Sequence, residues 1–284
     1  QFTPAQEKPL NAEEFFGKGL GWNRLQDYHK AIQNYDKAIE LAPQYAISYN
    51  NRGNSKKALT DYAGAIADYN KAIELDPQYA YAYNNRGNSK ANLKDYTGAI
   101  ADYNKAVELD PKYVAAYNNR GSAKDDLKDY AGAIVDYDKA IELDTKNMNA
   151  YYNRGNSKAN LKDYAGAIAD YNKAIELDPQ YADAYNNRGI AKKNLGDYAG
   201  AIADYDKAIE LDPQYAKAYN NRGGAKANLK DYAGAIADYG KAIELFPQYT
   251  RVYDNLIALY RELKLPEKAE EIRRLKQKNC PDNQ

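Results

Sequence analysis

Apolar and polar positions along the chain follow a helical spacing, and the whole pattern returns every 34 residues. In residues 80–113, two stretches each place a set of side chains on one helix face at i, i+4 and i+7. These sets are Tyr83, Gly87 and Lys90 in the first stretch and Ala99, Tyr103 and Ala106 in the second. Between the stretches, Asp95 is placed to cap the second helix, and Pro111 ends that helix because proline cannot donate a backbone hydrogen bond. Each repeat is therefore predicted to be a helical hairpin.

Three columns of identical residues set the boundaries of the repeats. Glycine recurs at one phase from Gly19 to Gly223, alanine follows twelve residues later, and proline comes twelve residues after that in most repeats. A polar extension at 1–11 precedes the repeats, and Asn11 with Glu14 predicts a capping box at the first helix. The eight predicted repeats are 12–45, 46–79, 80–113, 114–147, 148–181, 182–215, 216–249 and a degenerate C-terminal cap at 250–283.

A glycine inside a helix needs a structural reason, because it costs about 1 kcal/mol relative to alanine. The spacing predicts that Gly87 faces Ala99 across two closely approaching helix axes. Tyr83, Tyr96 and Tyr103 would fill the space around that contact. One hairpin cannot bury such a face alone, so neighbouring repeats are expected to stack into an α-solenoid.

An aromatic residue followed by glycine, alanine, tyrosine, alanine and proline at this spacing resembles the tetratricopeptide repeat, over residues 12–283. The phrase DYAGAIADYNKAIELDPQYA is similar to tandem repeats common in prokaryotic proteins. The resemblance implies an all-α fold, a right-handed α-solenoid superhelix of eight helix-turn-helix repeats. It also implies a scaffold that binds other proteins. The period does not fit the longer pentatricopeptide repeat, which reads RNA.

Arginine, in place of the family's usual leucine, precedes the shared glycine in six repeats, and an aspartate lies sixteen residues after each arginine. In the first repeat these positions hold Lys18 and Asn34, and in the last they hold Leu256 and Ile272. Because the two columns change together, we expect ion pairs that join helices. A row of cations awaiting a ligand is the alternative. The pairs are Arg52 with Asp68, Arg86 with Asp102, Arg120 with Asp136, Arg154 with Asp170, Arg188 with Asp204 and Arg222 with Asp238.

Asparagine accumulates on the opposite face of the first helix, at positions 6 and 9 of the repeat. The resemblance implies that this face lines a concave groove. Asparagine is a poor helix former, but its amide carries donors and an acceptor that suit the backbone of an extended peptide. The alternative is that these amides only bond neighbouring turns. The column at position 6 is Asn51, Asn85, Asn119, Asn153, Asn187, Asn221 and Asn255, and that at position 9 includes Asn54, Asn88 and Asn156.

Aromatic and basic residues on the same side complete the candidate peptide-binding groove. Of thirty tyrosines, only Tyr81 and Tyr152 fall on the groove side, so these two are the aromatic candidates. Lys217 and Arg251 make the last turns of the groove basic.

Some relatives in the family hold a chain-terminal carboxylate with a set of lysine, asparagine and arginine residues. Asn156, Asn187 and Lys217 match three of those places. Tyr152 and Asn221 depart from the pattern at two places where cations are expected, which puts a full carboxylate clamp in doubt.

Composition and charge exclude several classes of function. Lysine plus arginine and aspartate plus glutamate both total 40, so the basic excess typical of nucleic-acid binders is lacking. No apolar run approaches the roughly 18 residues of a transmembrane span. With His29 as the single histidine and Cys280 as the single cysteine, no catalytic cluster, metal site or cofactor is predicted. We therefore expect a protein that is not an enzyme.

The predicted function is a scaffold that holds an extended segment of a protein partner, of unknown identity, in its concave groove. The alternative is a structural scaffold that self-associates into oligomers through repeat ends or its outer face. Because the sequence starts at Gln1, two cellular locations are considered. A terminus left by signal-peptide cleavage, which we favour, would place the protein outside the cytoplasm, in a periplasm or lumen. Otherwise it would be cytoplasmic.

Overall fold

The computed structural model describes residues 11–281, and across them the chain forms sixteen α-helices and no strand. The predicted all-α fold of tandem helix pairs is confirmed. Apart from Asn11, the extension predicted at 1–11 lies outside the described residues. The first helices of the repeats are α1 (Ala12–Arg24), α3 (Ala46–Ala58), α5 (Ala80–Asn92), α7 (Val114–Asp126), α9 (Met148–Asn160), α11 (Ala182–Asn194), α13 (Ala216–Asn228) and α15 (Thr250–Glu262). The second helices are α2 (Tyr28–Leu41), α4 (Tyr62–Leu75), α6 (Tyr96–Leu109), α8 (Tyr130–Leu143), α10 (Tyr164–Leu177), α12 (Tyr198–Leu211), α14 (Tyr232–Leu245) and α16 (Pro266–Asn279).

The chain divides into two compact units between Thr145 and Lys146. The first unit holds α1 to α8 and the second holds α9 to α16. Within each unit, every first helix packs against the second helix of its own repeat, and that second helix packs against the first helix of the next repeat. Each unit is therefore a continuous stack of four helix pairs.

First helices of adjacent repeats also contact each other within each unit, whereas no two second helices do so in the described part of the chain. Because the first helices approach one another more closely, they line the inner side of each stack. We call the inner face of α1, α3, α5 and α7 the first groove, and that of α9, α11, α13 and α15 the second groove.

Local signals start each helix where the sequence places it. The side chain of Asp95 accepts a 2.9 Å hydrogen bond from the backbone N–H of Gly98, and the other repeats up to the seventh cap their second helix in the same way. The turn before Asp95 is closed by Lys94, which takes a left-handed backbone with φ of 64°. The capping box predicted for Asn11 and Glu14 is present.

A tyrosine ring, rather than an alanine, occupies the space that each repeat glycine leaves free. A Cβ added to Gly87 would lie 2.7 Å from Cε1 of Tyr103, and the equivalent glycines from Gly19 to Gly189 meet the tyrosine of their own repeat in the same way. Tyr103, predicted to fill space beside Gly87, is thus the nearest side chain across the helix pair. The glycine lets a fully buried aromatic ring approach the helix backbone closely, and burying that ring stabilises the pair.

The predicted contact between the arginine and aspartate columns is confirmed in all six repeats. In the third repeat, Arg86 donates Nε and Nη2 to the two carboxylate oxygens of Asp102, at 2.9 and 2.5 Å. Lys90 Nζ lies 2.8 Å from the same carboxylate, whose side chain is only 5% exposed. The Arg86 guanidinium covers the ring of Tyr83 and donates Nη1 to Asn70 of the preceding repeat. One arginine thus joins its own helix pair to the repeat before it.

Replacing Gly87 by alanine should destabilise the protein by about 1 kcal/mol, because the overpacking against Tyr103 outweighs the gain in helix propensity. Gly240→Ala is the matched control, since nothing lies within 4 Å of its added Cβ. That variant should be stabilised by about 0.5–1 kcal/mol. Urea unfolding followed by circular dichroism measures both. Equal midpoints for the two variants would contradict the packing described for the glycine column.

Candidate functional site

Four of the predicted position-6 asparagines form a ladder of amide hydrogen bonds between repeats. Each donates its side-chain Nδ2 to the Oδ1 of an asparagine in the preceding repeat, over 2.8–3.0 Å. The acceptors stand at position 5 and are only 3–4% exposed. The pairs are Asn85 with Asn50, Asn119 with Asn84, Asn221 with Asn186 and Asn255 with Asn220.

The position-5 asparagines were not among the predicted site residues, although the sequence contains a signal for them. The doublet Asn-Asn recurs in the same repeats, and its first member points toward the neighbouring repeat while its second lies on the groove side. A buried amide oxygen needs a donor, and in these four pairs the position-6 asparagine of the next repeat supplies it.

The other three position-6 asparagines have different environments. Asn51 donates to the backbone carbonyl of Ile47 in its own helix, at 2.8 Å. Asn187 donates to the hydroxyl of Tyr152 at 2.9 Å and to Oδ1 of Asn156 at 3.0 Å. For Asn153, the backbone carbonyl accepts from Ser157 Oγ. The column is therefore not uniform along the chain.

The position-9 asparagines hold tyrosines of their own repeats. Their Oδ1 atoms accept from buried tyrosine hydroxyls over 2.7–2.8 Å. This explains why a poor helix former is tolerated there, because a buried hydroxyl without a partner costs free energy. The pairs are Asn54 with Tyr69, Asn88 with Tyr103 and Asn156 with Tyr171.

The amides of the groove therefore have a structural role that the sequence analysis offered only as an alternative. This structural role does not use all the hydrogen-bonding groups of these amides. The Oδ1 atoms of Asn85 and Asn119 accept no hydrogen bond from any described residue, and each amide nitrogen carries a second N–H. Both side chains are part-exposed. An acceptor and a donor thus remain on the groove side of these two ladder bonds.

The two candidate tyrosines differ in how far they are exposed to solvent. Tyr81 is 54% exposed and packs its ring 4.8 Å from that of Tyr113, whose pKa is raised to about 12 by burial and by its tyrosine neighbour. Tyr152 is part-buried, with its ring 4.7 Å from that of Tyr181, and burial raises its pKa. Tyr81 therefore leaves about half of its surface open to solvent, whereas Tyr152 is mainly a packing residue.

The two basic candidates, Lys217 and Arg251, also have different environments. Lys217 is exposed and forms no ion pair with the described residues, but it does not line the cavity of about 380 Å³ beside Asn156 and Asn187. The three places of the partial carboxylate clamp are thus not gathered around one cavity. Arg251 instead lines a cavity of about 460 Å³ in the second groove, together with Lys193.

A second polar cavity, of about 390 Å³, lies in the first groove. Its walls include Lys57, Asn119 and Asp126. Burial lowers the pKa of Lys57, and burial together with the charge of Arg251 lowers the pKa of Lys193. Each cavity therefore contains a lysine held partly out of water and without an ion-pair partner among the described residues.

Residues 11–281 contain no group of three or more histidine, cysteine or acidic side chains placed to hold a metal ion. His29 is exposed, as expected. Within the same range, every helix is too short or too polar to cross a bilayer.

Replacing Asn119 by alanine should destabilise the protein by about 1–2 kcal/mol, because it leaves the buried Oδ1 of Asn84 without a donor. Asn92→Ala is the control. Its exposed amide bonds only the Asn88 carbonyl in its own helix, so its removal should be neutral or slightly stabilising. Urea midpoints of the two variants give the comparison, and an Asn119 variant as stable as the Asn92 variant would contradict the ladder.

Two family models describe this sequence. The tetratricopeptide repeat model matches residues 80–113, 182–215 and 216–249, and a second TPR repeat model matches 23–59, 57–94, 126–162 and 159–196. Comparison with curated protein sequences gives no significant match.

Solved structures of tetratricopeptide repeat proteins superpose on the chain. MamA is 30% identical with a TM-score of 0.55, over 58% of this chain and 96% of its own. YrrB, described as a TPR protein with an unusual peptide-binding site, is 28% identical with a TM-score of 0.56, over 65% of this chain and 95% of its own. A tetratricopeptide repeat protein from Parabacteroides merdae shares the fold, at 22% identity and a TM-score of 0.65, over 87% of this chain and 98% of its own. The chain therefore belongs to the tetratricopeptide repeat family and has the fold of a protein-interaction scaffold.

Proposed function

We propose that the chain holds an extended segment of a partner protein in its grooves, with side-chain amides contacting the backbone of that segment. The observation that carries the proposal is that both grooves stay open between the first helices. Cavities of about 390 Å³ in the first groove and about 460 Å³ in the second are lined by asparagine. Concave sites with a few convergent polar groups are where ligands bind.

The chemistry of the lining favours recognition of backbone. An asparagine amide offers a donor and an acceptor in one plane, which matches the N–H and C=O of an extended chain. The Oδ1 atoms of Asn85 and Asn119 and the second N–H of each amide remain available on the groove side. YrrB, whose description includes a peptide-binding site, is a relative in which a peptide is also the ligand.

The ends of the array argue against self-association by stacking of repeats. Between repeats, the first-helix arginine bonds position 25 of the preceding repeat, as Arg52 does with Asp36. A second copy docked in the same register would bring Lys18 at that arginine position against Arg274 at position 25 of the last repeat. Two like charges would then face each other, which opposes the contact.

Groove-blocking variants test the proposal. Peptides are first selected on the wild-type protein from a random dodecapeptide display library, and their affinities are measured by fluorescence anisotropy. Ser122→Trp in the first groove and Ala258→Trp in the second fill the cavities with an indole at exposed positions. Each should weaken peptides that use its groove by about tenfold or more, a loss of about 1.4 kcal/mol.

Ala101→Trp and Ala237→Trp are the matched controls, because these exposed alanines lie on second helices away from both cavities. They should bind peptides as the wild type does. Equal binding by groove and control variants, or a library that yields no peptide, would reject the proposal. Sedimentation at several concentrations examines the alternative, and a protein that assembles through its ends would favour it.

A further inference from the structure

The groove cavities of about 390 and 460 Å³ are built from equivalent positions of repeats that stand four apart. Each has a lysine at position 12 of one repeat, an asparagine at position 13 of the next, and an asparagine and an acidic residue at positions 6 and 13 of the third. The first set is Lys57, Asn92, Asn119 and Asp126, and the second set is Lys193, Asn228, Asn255 and Glu262.

These combinations are confined to the two cavities. At position 12, lysine occurs only at Lys57 and Lys193, and at position 13 an acidic residue occurs only at Asp126 and Glu262. Packing cannot explain the pattern, because alanine fills position 12 in repeats three, five and seven. Both lysines are part-buried and have no ion pair or hydrogen bond to any described residue. A charge held partly out of water without a partner is stabilised by any ligand that offers it a polar or charged group.

The cavities differ in charge at position 2 of the last repeat that contributes to each. Arg251 stands at position 2 of the eighth repeat and lines the second cavity, whereas the equivalent residue of the fourth repeat is Ala115. In the second cavity the Glu262 carboxylate accepts a hydrogen bond from the Tyr232 hydroxyl. The second cavity thus carries two cations against one engaged carboxylate, while the first balances Lys57 with Asp126.

We propose that the two cavities are equivalent pockets for residues of the bound segment, and that Arg251 makes the second pocket selective for a carboxylate side chain. This inference rests on the proposed function and names the chemistry of its ligand. The carboxylate would lie between the cationic ends of Lys193 and Arg251, with the amides of Asn228 and Asn255 as further donors. The first pocket, lacking the second cation, takes an uncharged polar residue.

Calorimetry with a blocked tetraglutamate peptide, and with tetraglutamine as the neutral comparison, tests the inference at low salt. The wild type should bind one tetraglutamate per chain and prefer it over tetraglutamine about tenfold. Arg251→Ala and Lys193→Met should each remove that preference, whereas Lys57→Met should retain it. Ala115→Arg, which copies the second pocket into the first at an exposed position, should raise the stoichiometry from one to two.

Circular dichroism and thermal unfolding confirm that each variant is folded. The inference would be overturned if the Arg251→Ala and Lys193→Met variants bound tetraglutamate as the wild type does. An Ala115→Arg variant with an unchanged stoichiometry would also overturn it. If selected peptides bind the grooves but acidic and neutral ones bind alike, the proposed function stands and only the carboxylate pocket fails. If the display library yields no groove-dependent peptide, the proposed function itself fails.

Discussion

The rest of the structure depends on one repeated ion-pair cluster. In it, the carboxylate of Asp102 or its equivalent is enclosed by an arginine and a lysine from the facing helix. Removing a carboxylate from water costs several kcal/mol, and only good geometry recovers that cost. Asp102 meets the requirement with two hydrogen bonds from Arg86 and an ion pair with Lys90. Since Arg86 also bonds Asn70 of the preceding repeat, the same cluster fixes both the hairpin and its neighbour.

Fixing the hairpins leaves the inner faces of the first helices free for polar residues. In repeats one to seven, the glycine column lets a tyrosine ring lie against the first helix, so apolar side chains fill that side. The groove side can then hold asparagines that would be costly in a solvent-exposed helix. One N–H of Asn85 or Asn119 joins adjacent repeats while the rest of the amide faces the groove. The same side chains thus join adjacent repeats and, in the proposed function, recognise the ligand.

Much of this follows from the sequence because a strict period reveals which positions change together. The helix pairs, the caps and the ion pairs were predictable. A third column of residues also changes together with the arginine and aspartate columns. Position 25 holds Asp or Asn wherever the next repeat supplies an arginine, and it becomes Gly240 where the next repeat has Leu256 instead. Periodicity does not reveal which side chain fills a given space across two helices. It therefore missed the buried Asn84 as the partner of Asn119.

The most direct measurement of the central claim is the urea unfolding free energy of an Asp102→Asn variant beside Glu108→Gln. Glu108 is 67% exposed in its pair with Lys105 on the same helix, so its loss should leave the midpoint unchanged. Asp102→Asn should cost about 3 kcal/mol, because Arg86 and Lys90 lose their shared carboxylate in a part-buried site. A triple variant that copies the apolar residues of the last repeat, Arg86→Leu, Lys90→Tyr and Asp102→Ile, should recover much of that loss. An Asp102→Asn variant as stable as Glu108→Gln would contradict the account.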